Sequence, residues 1–447
     1  MHLSRRASML ALTGLCLASS RPARSQPMPP TALTGARPFD GERLGEPATV
    51  LIQDGLIRAI GREAPPEGSR RVDLTGHCLL PGMTADHIHI GHTAGGASGR
   101  RFYTRENVQA QLELYRNFGV TNVAALGLNP PPFHALRQDS REGRLPGARF
   151  LGAGPGIGVP DGAPPSGPMQ LSEDQVARPD SVEAMRRAVD AMAEQGVDLI
   201  KIWVDGLGGT LPQMPPEMVR AAVTAAHARG LKVVAHIHDL SQARLAVENG
   251  VDILGHGIRD READPPLIEA MRRQGTWYIP TIQIDEAEYI YADRPELLED
   301  PFFRAAANPA LMARLQDPDW RRSQLEKAGP RRAAVRMNQR NLKLLHEAGV
   351  RIGYGTDSGA TPLRVQGFAE HRELELMVEA GLTPAQALRI ATQEAAALLG
   401  LEDRGALRPG LRADLVVLAA DPTRDIRATR RIRAVWQGGQ EVAGPLA

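Results

Sequence analysis

Short runs in which apolar and polar positions alternate occupy the first part of the chain: Ala48-Thr-Val-Leu-Ile-Gln and Leu56-Ile-Arg-Ala-Ile, separated by Asp54-Gly55 and closed by Gly61. A period of two broken by glycine predicts strands joined by tight turns. The same texture returns near the far end in Ala413-Asp-Leu-Val-Val-Leu and Ile432-Arg-Ala-Val-Trp, with Gly438-Gly439 as a hairpin turn. Between these ends the period changes. Apolar runs that stop at Gly, His or Asp alternate with segments whose apolar residues recur at helical spacing, such as Ser181 to Gln195, Pro216 to Arg229, Ser241 to Asn249 and Arg331 to Ala348.

The apolar runs begin at Thr84, Gly119, Arg149, Asp198, Leu231, Val251, Thr276 and Val350. Eight strand–helix units predict an α/β fold of the (β/α)8 TIM-barrel type over 83–404. A small β-sandwich domain, shared by 26–82 and 405–447, accounts for the two ends. Two connections are too long for turns, the Gly/Pro-rich Gly154 to Pro179 and Asp285 to Pro330, which carries some helical patterning. Both follow strands, so they are expected to wall the active-site mouth.

Composition narrows the function. The chain has 447 residues, 53 basic against 52 acidic, and only 4% aromatics. It therefore offers neither a basic field nor stacking platforms for nucleic acid. A small-molecule substrate is the partner the residues call for, with self-association into a homo-oligomer left open. Only four lysines occur, Lys201, Lys232, Lys327 and Lys343, while arginine supplies the other positive charges. A lysine kept inside an apolar run is then expected to serve through its amine, which a guanidinium cannot replace.

The N-terminus reads Ser4-Arg5-Arg6, an apolar run from Met9 to Ala18, then Ala23-Arg24-Ser25. That order resembles a twin-arginine export signal over 1–25. Leu15 before Cys16 argues against a lipid anchor, so the mature protein is expected in the periplasm or secreted, free of the membrane. Cys78 is then the remaining cysteine, and no internal disulfide can form.

His87 and His89 lie two apart on the first strand and share a face, which allows both to reach one cation. Lys201 sits among Leu199, Ile200, Ile202 and Trp203, where an unpaired ammonium is costly; it must be exposed, paired or modified, and a carbamate made with carbon dioxide is one such modification. His236 and His256 end the fifth and sixth strands, and Asp357 follows the eighth. Each alone reads more readily as a packing histidine or a helix cap. Together, at ends of strands that a barrel gathers around one axis, they read as a metal site. His238 shares a face with His236, and parity alone does not say which of the two reaches the metal. His92, His134, His227, His346 and His371 read as surface or packing residues.

Leu80-Pro-Gly before Asp86-His-Ile-His, Ile200-Lys-Ile-Trp, Ala235-His-Ile-His, Gly255-His-Gly, Gly355-Thr-Asp-Ser-Gly and Gly410-Leu-Arg-Ala-Asp-Leu-Val-Val-Leu together resemble the amidohydrolase superfamily, in particular its imidazolonepropionase-like and Xaa-Pro dipeptidase-like metal hydrolases. The resemblance covers nearly the whole mature chain. It departs at Thr84, where the family has an apolar residue. It implies metal ligands at His87, His89, Lys201, His236, His256 and Asp357, two divalent ions of the zinc type, and carboxylation of Lys201. It also implies hydrolysis of a C–N amide or peptide bond in a dipeptide, N-acyl amino acid or cyclic amide. In the mechanism the resemblance implies, a hydroxide held by the metals would attack and Asp357 would pass its proton to the leaving amine. His238 is implied as a substrate contact beside the catalytic aspartate; Trp203, Tyr278 and Arg259 are further candidates, with Arg100, Arg101 or Arg259 available to a substrate carboxylate. Two other readings are a lactonase or phosphotriesterase on the same binuclear site, and a metal-binding barrel without turnover. Deamination fits less well, since the deaminating relatives lack a bridging lysine.

N-terminal sequencing of periplasmic material should find a chain that begins near Gln26; an intact Met1 chain recovered from the cytoplasm would contradict export.

Overall fold

The computed structural model describes residues 29–446. The expected export signal lies outside the described residues. Strands from both chain ends meet in one sheet: Thr31–Pro38 pairs with Ala48–Gln53 and Cys78–Pro81, and Cys78–Pro81 pairs antiparallel with Leu415–Leu418, which continues to Ile432–Gln437 and Gln440–Ala443. One face of these strands is dry, with Leu33, Ile52, Leu79, Leu415, Val417 and Trp436 buried together. Strand alternation produces this face, as the sequence pattern requires.

Eight parallel strands form the centre: β1 (Met83–Ile88), β2 (Val120–Ala125), β3 (Arg149–Gly152), β4 (Ile200–Trp203), β5 (Val233–His236), β6 (Ile253–Leu254), β7 (Trp277–Tyr278) and β8 (Arg351–Ile352). The first three pair as β3-β2-β1 and the last five in chain order. Backbone hydrogen bonds join the two groups. Near β1 and β8, Asp86 N donates to Tyr354 O (2.6 Å) and Thr356 N to His87 O (3.0 Å). Near β3 and β4, Asp198 N donates to Gly152 O (3.0 Å), and Ile157 exchanges bonds with Lys201 O and Trp203 N. All four residues of β4 are buried, which is why that run is nearly continuously apolar.

Helices follow the strands as the periodicity predicts, for example Val182–Glu194, capped by the Ser181 hydroxyl on Ala184 N, and Pro216–Ala228. One helix differs. The helical spacing predicts it from Arg331 to Ala348; it runs unbroken from Pro318 to Glu347. Its start is set by the Asp317 carboxylate, which accepts from Asp319 N at 2.8 Å. Proline removes one helical hydrogen bond but keeps a helical φ, and a long helix packed on the core absorbs that loss. The Asp285–Pro330 connection is accordingly mostly helical, in short pieces from Gln283–Glu286 to Pro309–Gln316. The Gly154–Pro179 connection is irregular, tied down by Arg178, whose guanidinium donates to the carbonyls of Val159 and Gly162 (both 2.9 Å).

Gly355 permits the approach of the chain after β8 to β1: a Cβ there would lie 2.6 Å from His87 Cβ and 2.8 Å from His87 N. Gly355→Ala should therefore destabilise by about 1–3 kcal/mol through overpacking. Gly61→Ala, where a Cβ meets nothing within 4 Å, should stay within roughly 0.5 kcal/mol of the parent. Urea midpoints of the two variants check this; equal midpoints would contradict the packing.

Candidate metal centre

The C-terminal ends of five strands bring the expected residues together. His87 and His89 leave the same face of β1, and both are buried. His87 Nδ1 donates to Gly255 O at 2.6 Å, which fixes its tautomer and turns Nε2 inward. That Nε2 lies 3.0 Å from Asp357 Oδ1 but is out of hydrogen-bonding alignment with it. His89 Nε2 bonds the same oxygen at 3.0 Å, leaving its buried Nδ1 without a partner. His256 is oriented by Thr281, Nδ1 to Oγ1 at 2.9 Å. Its ring centroid is 4.5 Å from that of His87 and 4.3 Å from that of His236. The ligand atoms of His87, His256 and Asp357 lie within 4.8 Å of one another.

Lys201 is 1% exposed, and its Nζ has no hydrogen-bond partner. Burial pulls its pKa down to about 7, against the weaker upward pull of Asp357. The amine lies 5.6 Å from the Trp203 ring centroid. Space beside it is kept by Gly255, where a Cβ would stand 3.2 Å from Nζ. Burial likewise lowers His87 to about 3 and His236 to about 4, with the Lys201 charge adding to both, and drives His256 well below the usual imidazole range. Neutral imidazoles keep a lone pair for a cation. Asp357 goes the other way: although burial favours its acid form, the Arg364 guanidinium and then His89, which bonds Oδ1, hold the carboxyl well below the usual range. Its φ of 58° places it in the left-handed region, sparsely used by residues other than glycine and frequent at functional sites.

Three residues of this site escaped the sequence reading. Asp205 Oδ2 is 3.4 Å from His236 Nε2, and Asp205 is held by Leu207 N (2.7 Å) and Gln242 Nε2 (3.2 Å). Burial raises its pKa, but His236 and the Leu207 amide outweigh that and bring it to about 2. Its signal was available, since Lys201, Trp203 and Asp205 step by two along one strand direction. Thr281 and Arg364, which pairs with Asp357 Oδ2, sit in loops and carry no periodic signal.

Other candidates stand apart from the cluster. His238 is half-buried with Nδ1 on Asp239 Oδ1 (2.5 Å), while the ring of His236 is the one packed on His256. Tyr278 is fully buried, accepting from Ile258 N and donating to Asn338 Oδ1 (both 3.0 Å). Arg259 is buried, on Asp285 Oδ2 and Ile237 O (both 3.2 Å), and Arg100 pairs with Asp174. Trp203 packs with Leu128, Ala163 and Val176. His371 is a packing residue, on Thr429 Oγ1 and Phe118 O. His92 is not a satisfied packing residue: it is 1% exposed and neither ring nitrogen has a partner, because the loop after β1 folds inward beside His89.

The donor set fits a divalent cation. Neutral buried imidazoles, an ionised carboxylate, and inward nitrogens left without partners at His87, His89 and Lys201 are what a borderline-soft metal ion satisfies.

Residues 78–442 match the model of the amidohydrolase family. The chain is 27% identical to ochratoxinase of Aspergillus niger over 91% of this chain and 85% of that protein. Among solved structures it is similar to a Xaa-Pro dipeptidase with bound methionine in its active site (TM-score 0.73, 25% identity, 93% of this chain and 100% of that one). It is also similar to a putative prolidase from Bifidobacterium longum (TM-score 0.73, 28% identity, 93% and 95%). These likenesses carry a TIM-barrel-like α/β fold. With the family model covering most of its length, the chain belongs to the amidohydrolase family and is an enzyme that hydrolyses carbon–nitrogen bonds.

Proposed function

We propose that the chain is a metal-dependent amidohydrolase that cleaves the amide or peptide bond of a small substrate, from a closed (β/α)8 barrel flanked by a β-sandwich built of both chain ends. The carrying observation is Lys201, a fully buried amine without a partner, facing neutral histidines and an ionised aspartate. A structural lysine would be paired or exposed. The neutral Nζ attacks the carbon of carbon dioxide, an N–C bond forms as one C=O π bond opens, one proton passes to solvent, and the amine becomes a carbamate whose single negative charge is shared by two oxygens. Gly255 leaves room for it.

His87, His89, His236, His256, Asp357 and the modified Lys201 would hold two divalent ions, with zinc the expected metal. Such ions supply Lewis acidity, polarising a carbonyl oxygen and bringing the pKa of water towards neutrality. The chain's own residues do the rest. Gly255 O, Thr281 Oγ1 and Asp205 orient the rings of His87, His256 and His236. Asp357 Oδ1 faces both β1 histidines, where it takes the proton of the attacking water and returns it to the departing nitrogen. A C–O bond forms as the C–N bond breaks. His238, at the half-buried end of β5, and Trp203 are the proposed substrate contacts. The likeness to ochratoxinase and to a Xaa-Pro dipeptidase supports an amide over a lactone or phosphotriester. The resemblance of residues 1–25 to a twin-arginine signal supports work in the periplasm or outside the cell.

Lys201→Ala should abolish turnover, small carboxylic acids should partly restore it, and Lys201→Arg should not, because a guanidinium cannot attack carbon dioxide. Near-normal activity in Lys201→Arg would remove the carbamate. Metal loading should follow the amine. Above its pKa of about 7 Nζ is neutral and can be carboxylated, so apo-protein given zinc and bicarbonate at pH 8 should retain close to two ions per chain. At pH 6 the amine is protonated, and loading should be slower and incomplete. Elemental analysis after desalting reads both; one ion per chain at either pH, with full activity, would favour a mononuclear site.

A further inference from the structure

The metal centre gathers at the C-terminal ends of the parallel strands. Near their opposite ends, where they meet the sheet built from both chain ends, lies a cavity of about 300 Å³. Arg149, the first residue of β3, lines it together with Arg116, from the last turn of helix Arg105–Asn117, and Arg412, which precedes strand Leu415–Leu418. Arg116 commits Nε and Nη2 to Asn117 Oδ1 (3.2 and 3.0 Å), and Arg412 commits Nε to Asp403 Oδ2 (2.6 Å). Nη1 of Arg116, both Nη groups of Arg412 and the whole fork of Arg149 have no protein partner among the described residues, and none of these nitrogens is closed off from solvent.

The carboxylates nearby do not supply the missing counter-charge. Asp403 accepts from Arg404 as well as Arg412, and Glu113 lies towards Arg116. Asp414, which also lines the cavity, accepts from Gly438 N (2.7 Å) on one oxygen and has Arg404 Nη1 3.8 Å from the other. Arg149 is left half-buried beside Arg404 and Arg412. Burial and then those two like charges hold its pKa below the usual guanidinium value, against the weaker pull of Asp414 and Asp403, but a guanidinium does not escape by losing its proton. Of the remaining polar wall, the Ser140 hydroxyl accepts from Phe150 N (3.0 Å), and Gln437 adds an amide without a protein partner.

The unused donors decide the ligand. A carboxylate has one negative charge on two oxygens and would leave most of these N–H groups idle. A phosphoryl group carries close to two charges on three terminal oxygens, and guanidinium forks bind it bidentately. We infer that this cavity binds the phosphoryl group of a small anion, held between Arg149, Arg412 and Arg116 with Gln437 at its edge. Such a ligand ties the start of β3 and the end of helix Arg105–Asn117 to the segment entering strand Leu415–Leu418, and so fastens the central strands to the sheet beside them. The site is independent of the reaction at the metal centre. Its volume leaves space for a short organic substituent, so the group can be inorganic phosphate or the head of a phosphate monoester.

The full-length zinc-loaded protein is titrated by calorimetry, at constant ionic strength, with inorganic phosphate, glycerol 3-phosphate and acetate. Two variants run beside it: Arg149→Met, which keeps the apolar stem, and Gln437→Glu, which sets a carboxylate in the cavity. Phosphate held by the metal ions appears equally in all three proteins and cancels. The wild type should bind phosphate in one further step, which both variants weaken by about tenfold or more. In phosphate-free buffer neither variant should melt below the wild type, since Arg149 has no partner to lose and the new carboxylate answers its charge. Glycerol 3-phosphate binding as tightly as phosphate identifies a monoester head, and phosphate alone a free ion. Absence of the further step, an equal step in Arg149→Met, or acetate binding as tightly as phosphate overturns the site. A melting point of Arg149→Met well below the wild type without phosphate also overturns it, because the guanidinium would then already be paired.

Discussion

Lys201 is the residue around which the rest of the site has to be arranged. An ammonium taken out of water without a partner is held at a penalty of several kcal/mol, and the protein meets it by lowering the pKa rather than by pairing. The neighbours follow the same rule. The imidazoles of His87, His236 and His256 are pushed to the neutral side by burial, so no second positive charge competes beside the amine. Asp357 stays anionic because Arg364 and His89 face it. A pocket with one ionised oxygen pair, several neutral nitrogen donors and a titratable amine is poised for cations, not for packing.

Holding that poise takes buried carboxylates further out. Helix Phe368–Glu379 carries three, and two of them, Glu370 and Glu373, lie three residues apart and hence on one face. Glu370 accepts from Thr356 Oγ1 (2.6 Å) and Ser358 Oγ (2.7 Å), bracketing Asp357 in its left-handed conformation. Glu373 accepts from the Ile282 and Gln283 amides (both 2.8 Å), next to Thr281, which orients His256. Burial raises Glu373 to about 8 despite those amides, so its acid and salt forms lie close in energy near neutrality. One helix thus pins the loops after both β7 and β8, and the positions of Asp357 and His256 depend on it jointly.

Much of this was legible in the sequence because the relevant signals are local. Alternation places His87 with His89, and runs that end at His or Asp mark strand ends that a parallel α/β fold gathers together. The supports were not legible for the opposite reason. Thr281, Arg364, Glu370 and Glu373 lie in loops or on a helix, and what each does depends on which distant backbone comes to meet it. His92 illustrates the same limit: its spacing from His89 is unremarkable, and only the inward fold of the loop after β1 buries both ring nitrogens. Pro330 shows the converse, a strong local breaker overruled by a capped helix packed along its length.

The use of cations across the chain follows one physical distinction. Of the four lysines, Lys232, Lys327 and Lys343 are exposed, and Lys201 alone is buried. Where the described residues bury a positive charge in an ion pair, arginine serves: Arg259 on Asp285, Arg372 between Glu286, Glu375 and Glu379. A guanidinium keeps its charge on burial and spreads it over several donors, which suits a fixed ion pair. An ammonium loses its proton there, which suits chemistry. Had burial of charge been the only requirement at 201, arginine would have met it as it does elsewhere; the amine stands where deprotonation, not charge, is the useful property.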